Sequence, residues 1–289
     1  MTDNKNTAPT VALDENGKPT GFLQHVEAPR TIRTEVIEAG ILLITLNRPE
    51  KLNAFDEQMI REIRSAIWQA NFDDNVRVII ITGAGRAFCS GRDITGLDYE
   101  NNLVTSQYRA YVRANHEMFD DMENIEKPIV AAVNGTCAGG GVEMSIACDF
   151  RMVADNAYFL LSEIQLGVIP ASGAASRLIQ IIGIGRLKEM MMAALPVDAN
   201  EAYRIGLANR VFPADKLMEG TLAFARQLAA RAPQAVGLAK QIINMCQNVD
   251  TETGRMLERL GQSVLIQTED NKEGMKAFLE KRKPQFKGR

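Results

Sequence analysis

Asn134-Gly135-Thr136-Cys137-Ala138-Gly139-Gly140-Gly141-Val142-Glu143 joins an apolar run at 129–133 to a helical pattern at 141–148. Three consecutive glycines cost conformational entropy, so something needs a bare backbone there. Close packing of helix on strand is one reason. A ligand approaching exposed amides at a helix N-terminus, where the dipole favours negative charge, is the other. The stretch alone does not choose between them. Glu143 falls about one turn into the helix, where a carboxylate is commonly a dipole partner and nothing more.

Outward from this junction, the pattern alternates. Residues 41–46 are a short apolar run stopped by Asn47-Arg48-Pro49, as a buried strand requires. Met59, Ile60, Ile63 and Ile67 recur at helical spacing, which predicts a helix over 56–71. A second buried strand is predicted over 76–82, a helix over 115–124, and strands over 129–133 and 150–154. Strands alternating with helices argue for an α/β fold with largely parallel pairing. From Ser172 onward helical periods dominate: 174–182, 186–192, 199–205, 215–230, 233–245, 251–268 and 269–281. The expected organisation is an extension over 1–30, a sheet-based core over 31–200 and a helical part over 201–289.

Two further stretches invite a chemical reading. Gly83-Ala84-Gly85-Arg86-Ala87-Phe88-Cys89-Ser90-Gly91-Arg92-Asp93 follows a strand, but Phe88 breaks the dinucleotide GxGxxG pattern. A lone Gly-rich turn of this kind is more often structural. Glu163 follows Tyr158-Phe159-Leu160-Leu161 and precedes Gly167-Val168-Ile169-Pro170; alone, such a glutamate reads as solvated surface.

Bulk properties exclude several classes. The 289 residues are 46% hydrophobic and 24% charged, with a net charge of -3. That balance leaves no footprint for nucleic acid or an anionic membrane. The cysteines (Cys89, Cys137, Cys148, Cys246) lack CxxC spacing and the two histidines, His25 and His116, lie far apart. Neither a zinc site nor a disulfide framework is expected, and a reducing, cytoplasmic setting is. No apolar run approaches the roughly 20 residues that span a bilayer. The first thirty residues carry no apolar core of a signal peptide and no Arg-rich amphipathic stretch.

Taken together, the segments resemble the crotonase (enoyl-CoA hydratase/isomerase) superfamily. The matching pieces are Asn47-Arg48-Pro49…Leu52-Asn53-Ala54, Ala87-Phe88-Cys89-Ser90-Gly91-Arg92-Asp93, Ala131-Ala132-Val133-Asn134-Gly135 and Gly139-Gly140-Gly141-Val142-Glu143. Cys148-Asp149, Glu163…Leu166-Gly167…Pro170, Gly173, Arg177-Leu178 and Glu201-Ala202…Gly206-Leu207 follow in order, and the tail 277–287 closes the match. Together they run from about residue 33 to 287. The resemblance implies a spiral core of repeated β-β-α units and a helical C-terminal trimerisation region.

It also implies acyl-CoA chemistry of the kind found in fatty acid metabolism. The amides of Ser90 and Gly140 would hold the thioester oxygen, and Glu143 and Glu163 would supply acid and base. Hydratases of this family carry carboxylates at both positions, so a lyase that adds water to a 2-enoyl-CoA is the closest reading. Isomerases and hydroxycinnamoyl-CoA hydratase-lyases of the family lack the carboxylate matching Glu143. Those acyl-CoA reactions, and a non-catalytic binding protein on the same fold, are the alternatives. No cofactor is implied, because coenzyme A is part of the substrate, and no metal.

The implied pantetheine groove involves Lys51, Leu52 and Ala54. The segment Gly91, Arg92, Asp93, Ile94 and Leu97, with Gly139, would border substrate. Tyr99, Met118 and Met122 are further candidates for acyl-pocket walls. Lys281, in Lys281-Arg282-Lys283, resembles a basic segment that reaches CoA phosphates; equally, it is a cationic helix end complementing its own dipole. The implied assembly is a homotrimer or dimer of trimers. Two features depart from the family: Ala193-Ala194 where Thr-Gly is common, and the N-terminal extension.

Overall fold

The computed structural model describes residues 30–38, 40–95 and 103–289, with the backbone of two short paired strands, β1 (Ala12–Leu13) and β2 (Pro19–Gly21). The core begins with β3 (Ile32–Glu38) and β4 (Ile41–Leu46), an antiparallel pair, followed by α1 (Glu57–Phe72). Asp56 caps α1 by accepting the Met59 amide at 2.9 Å, and Met59, Ile60, Ile63 and Ile67 turn inward as their spacing requires.

The same β-β-α unit then recurs three times. β5 (Val78–Gly83) and β6 (Ala87–Cys89) lead to α2 (Thr105–Asn124). β7 (Ile129–Val133) and β8 (Thr136–Ala138) lead to α3 (Gly140–Ala147). β9 (Phe150–Ala154) and β10 (Tyr158–Leu160) lead to α4 (Ala174–Met192). In these three repeats the first strand joins the larger sheet, beside β3 and β4, and the second joins a smaller one. β11 (Val197–Asp198), α5 (Ala199–Arg204) and β12 (Arg210–Phe212) complete the two sheets. Their orders are β12-β9-β7-β5-β4-β3 and β11-β10-β8-β6. Apart from the antiparallel edge pairs β3–β4 and β10–β11, pairing within both sheets is parallel. A parallel strand buried on both faces reads as continuous hydrophobicity, which is why β5 and β7 are buried along nearly their whole length.

The C-terminal helices are α6 (Leu217–Ala229), α7 (Pro233–Cys246), α8 (Thr251–Leu265) and α9 (Glu269–Leu279). α6 packs across β4, β5, β7 and β9. α7 is tied to the core by a buried pair, Lys240 Nζ to Asp149 Oδ2 at 3.0 Å, and the same ammonium donates to the carbonyls of Met122 and Lys127. Gly183, at φ 75° and ψ 163°, breaks α4 where the sequence pattern separates two helices. Among the described residues no helix is long and apolar enough to cross a membrane, and no cluster of His, Cys, Asp and Glu could hold a metal.

Candidate active site

β6, β8 and β10 lie side by side and parallel in the smaller sheet, so their C-terminal ends share one edge. Three loops leave that edge: 90–95 after β6, Gly139 after β8, and the stretch to Glu163 after β10. The topology thereby unites segments more than 70 residues apart in sequence.

Each glycine of the triplet has its own neighbour. Gly139 adopts φ 52°, and a β-carbon there would lie 3.0 Å from Oε1 of Glu163. One at Gly140 would meet the Phe55 ring at 2.6 Å, and one at Gly141 the Cys89 carbonyl at 2.2 Å. Gly91, at φ 98°, has the Gly140 amide nitrogen 3.0 Å from the place its β-carbon would take. Gly140 opens α3, so its N–H lies in the first turn, where no helical acceptor exists. The close packing expected of the triplet is thus present, and the same glycines set amides at a helix start.

The Ser90 amide requires a correction. It donates to the Leu52 carbonyl at 3.0 Å, and the Ser90 hydroxyl donates to the Lys51 carbonyl at 3.2 Å. A donor committed to a carbonyl of its own chain is not preorganised for a ligand. Two residues further on, Phe55 N bonds Gly91 O, and Asp93 N bonds Phe55 O. In such a parallel bridge the central residue, Arg92, directs its own N–H away from Phe55. The Arg92 nitrogen is 3.7 Å from the position of a β-carbon on Gly140.

The two glutamates are held differently. Glu143 lies in the first turn of α3, 4% exposed. Its Oε1 accepts the Ser172 amide at 2.6 Å and the Ala174 amide at 3.2 Å. Burial pushes its carboxyl up to about 7, against the two amides and Arg177, which lower it; the charge of Glu163 adds to the rise. Glu163 opens a 3-10 turn over Glu163–Leu166. Its Oε2 is buried and without a hydrogen-bond partner among the described residues, and burial raises its carboxyl too. An orphaned carboxylate oxygen favours the protonated form.

The remaining candidates sort by what they touch. Lys51 and Asp93 meet each other: Asp93 Oδ2 accepts Lys51 Nζ and Arg48 Nη2, each at 2.7 Å, and Asp93 Oδ1 accepts the Thr95 hydroxyl at 2.5 Å. Asp93 is therefore a clamp on the 90–95 loop. Leu52 and Ala54 belong to the turn against that loop, and Ala54 is buried. The Arg92 guanidinium bonds the Tyr111 hydroxyl and lies over its ring, 5.3 Å from the centroid, which ties the loop to α2. Ile94 is 62% exposed, whereas Met118 and Met122 are wholly buried core. Leu97 and Tyr99 fall outside the described residues. Lys281 follows α9 at φ 51°, exposed, in the helical part rather than at the sheet edge. Its neighbour Arg282 bonds Glu273 and Glu280.

Three residues to which sequence reasoning assigned no part, although Asn53 and Arg177 lie in the matching motifs, shape the site. Asn53, wholly buried at φ 56°, accepts the Arg48 amide and donates to the carbonyls of Ala84 and Ala87. Phe55 backs Gly140, and Arg177 reaches the turn that holds Glu143. For Asn53 a signal existed in the polar turn Asn47-Arg48-Pro49…Asn53 between apolar elements; for the others the partner is distant in sequence.

A spiral of β-β-α units whose smaller sheet carries at one edge glycine-backed amides, the buried Glu143 and the half-buried Glu163 defines an acyl-transforming class of site. The enoyl-CoA hydratase/isomerase family model matches residues 36–289, and the chain belongs to that family. It is 37% identical over 254 residues to a short-chain-enoyl-CoA hydratase of Clostridium acetobutylicum, covering 87% of this chain and 96% of that one. It is 36% identical over 250 residues to a crotonyl-CoA hydratase of Syntrophomonas wolfei, with 86% and 95% covered. Among solved structures, an enoyl-CoA hydratase from Bacillus anthracis superposes with a TM-score of 0.85 at 36% identity, covering 90% of this chain and 100% of that one. The architecture is the crotonase fold, an α/β core with a helical C-terminal region.

Proposed function

We infer that this protein is an enoyl-CoA hydratase, adding water across the C2=C3 bond of a 2-enoyl-CoA thioester to give a 3-hydroxyacyl-CoA. The observation that carries the reading is the pair Glu143 and Glu163 beside the Gly139-Gly140 backbone, in a chain whose relatives over most of its length are named as hydratases.

The thioester oxygen sits on the amides of Gly140 and Arg92, Arg92 taking the part first assigned to Ser90. Water attacks C3 as ionised Glu143 removes its proton. The C2=C3 electrons move towards the carbonyl, and the oxygen gains enolate charge that the two amides stabilise. Donors of this kind are typically worth on the order of 10²–10³ in rate. Protonated Glu163 then delivers its proton to C2. Dehydration runs the same steps backwards and exchanges the two roles. No cofactor takes part, since coenzyme A arrives with the substrate. A buried carboxyl near 7 suits a base at neutral pH.

The finer assignments follow from the same reading. Lys51, Leu52 and Ala54 border the pantetheine arm, and Lys281 offers an exposed charge for the CoA phosphates. The helical C-terminal part assembles a homotrimer or a dimer of trimers. Met256, Leu260 and Val264 support this by forming an exposed apolar stripe on α8. Free buried thiols at Cys89, Cys137 and Cys148 fit a cytoplasmic setting, and fatty acid metabolism is the natural context.

Turnover of crotonyl-CoA in ¹⁸O-labelled water tests the reading. The product should be a 3-hydroxybutyryl-CoA carrying one solvent oxygen. An unhydrated positional isomer would mark an isomerase, and no turnover with short, long or aryl enoyl-CoAs would leave a binding protein.

A further inference from the structure

Glu143 is fixed from outside its own helix. The two amides on Oε1 come from the 172–174 turn, which has an unusual support of its own. Arg177 Nη1 donates to the Ser172 carbonyl at 2.8 Å. The guanidinium lies directly on Gly173: a β-carbon there would stand 1.8 Å from Nη1, and Gly173 adopts φ 105°. The other edge of the same fork is bidentate to Glu123 on α2, Nε to Oε1 at 2.6 Å and Nη2 to Oε2 at 2.7 Å, with Asp120 Oδ1 3.4 Å from Nη2. One planar group thus braces the turn against α2 with donors on both sides. A lysine cannot do this, because its ammonium is a single point of donors on a flexible stem.

We propose that Arg177 is a positioning residue for Glu143: it braces the 172–174 turn on Glu123, keeps two amides on Oε1, and leaves Oε2 for the reacting water. The assignment rests on the hydratase reading for its consequence in turnover, and on geometry alone for its effect on Glu143. Several charged groups surround Glu143. Glu163 faces it from the 3-10 turn and Arg177 from α4, while α2 brings His116, Asp120 and Glu123 around Arg177. β6 and β8 bring Cys89 and Cys137, whose burial keeps them neutral thiols. Arg151 of β9 bonds the Ser145 and Cys148 carbonyls at the far end of α3. Of these, Arg177 alone is bonded to the turn that supplies the amides.

The direction of the effect follows. The two amides favour the ionised carboxylate, so a relaxed turn raises the pH at which Glu143 ionises. The test is a ¹³C titration of Glu-labelled full-length protein, the Glu143 signal being assigned by its loss in Glu143→Gln. Arg177→Lys and Glu123→Gln should both move the Glu143 midpoint upwards, Arg177→Lys by about half to one pH unit. In crotonyl-CoA hydration, Arg177→Lys should lower kcat about 10- to 100-fold with KM within about twofold, the acid limb moving with the titration. An unmoved Glu143 midpoint in folded Arg177→Lys overturns the proposal whatever the activity. Absence of hydration by the wild type would instead overturn the hydratase reading, and the titration would still decide the role of Arg177.

Discussion

The ring of Phe55 occupies the space a side chain at position 140 would need: a β-carbon on Gly140 would lie 2.6 Å from Cζ. Phe55 is itself held edge-on by Phe119, ring centroids 6.3 Å apart, so it has no easy retreat. The Gly140 amide therefore depends on an aromatic wall that admits hydrogen only. Gly140→Ala is expected to cost about 1–3 kcal/mol in stability from overpacking. It should also lower kcat by on the order of 10² as the donor is displaced. Thermal melts and steady-state kinetics on one preparation check both; a variant with unchanged kcat would remove Gly140 from the oxyanion site.

Asp93 illustrates a second kind of support. Burial works to raise its carboxyl, but hydrogen bonds from Lys51, Thr95 and Arg48 outweigh this and hold it well below the usual carboxylate range. A depressed group of this sort contributes stability that is present above its unfolded value of about 3.8 and is lost as pH falls below it. Asp93→Asn should lose about 1 kcal/mol at pH 7, a modest figure because Lys51 is partly solvated. The gap to wild type should close below pH 4. Activity should fall about tenfold as the 90–95 loop loosens. Equal melting curves at pH 7 would show that the clamp carries no weight.

Glu143 has the opposite sign. Its folded carboxyl ionises near 7, while the unfolded chain ionises near 4.5. Between those values the folded state holds the extra proton, so stability falls as pH rises from about 4.5 to 7 and then levels. Glu143→Gln keeps an oxygen for the Ser172 and Ala174 amides and removes the buried charge. It should leave the unfolding free energy near wild type at pH 5 and raise it at pH 8, by up to about 3 kcal/mol. A variant less stable than wild type at both values would contradict the burial argument.

The elements that were legible in the sequence are those whose own burial decides them. β4, β5 and β7 are largely apolar runs, β9 is apolar but for Arg151, and α1 shows its inward stripe. Other elements were hidden for physical reasons. β3 is an edge strand with a largely exposed, charged pattern. β6, β8 and β10 are three residues each, too short to show a period. α2 begins ten residues before the sequence pattern suggests, because its first turns are solvent-facing and polar.

The candidate site divides along the same line. Gly140, Glu143 and Glu163 stood out through motif position, and the fold brings their segments together. The Ser90 assignment failed because which amide of a loop is already bonded depends on Leu52, nearly forty residues away. The parts played by Phe55, Asp93 and Arg177 likewise exist only in contacts between units of the spiral.

The most direct test of the central claim is the ultraviolet loss of the enoyl thioester when crotonyl-CoA is incubated with wild type, Glu143→Gln and Glu163→Gln. Both variants are also melted to confirm folding. The account predicts rapid hydration by wild type and a loss of at least about 10²-fold in kcat in each folded variant, in line with removal of a general acid or base. Hydration that survives either substitution at near wild-type rate would contradict the assignment of the two glutamates as the acid–base pair.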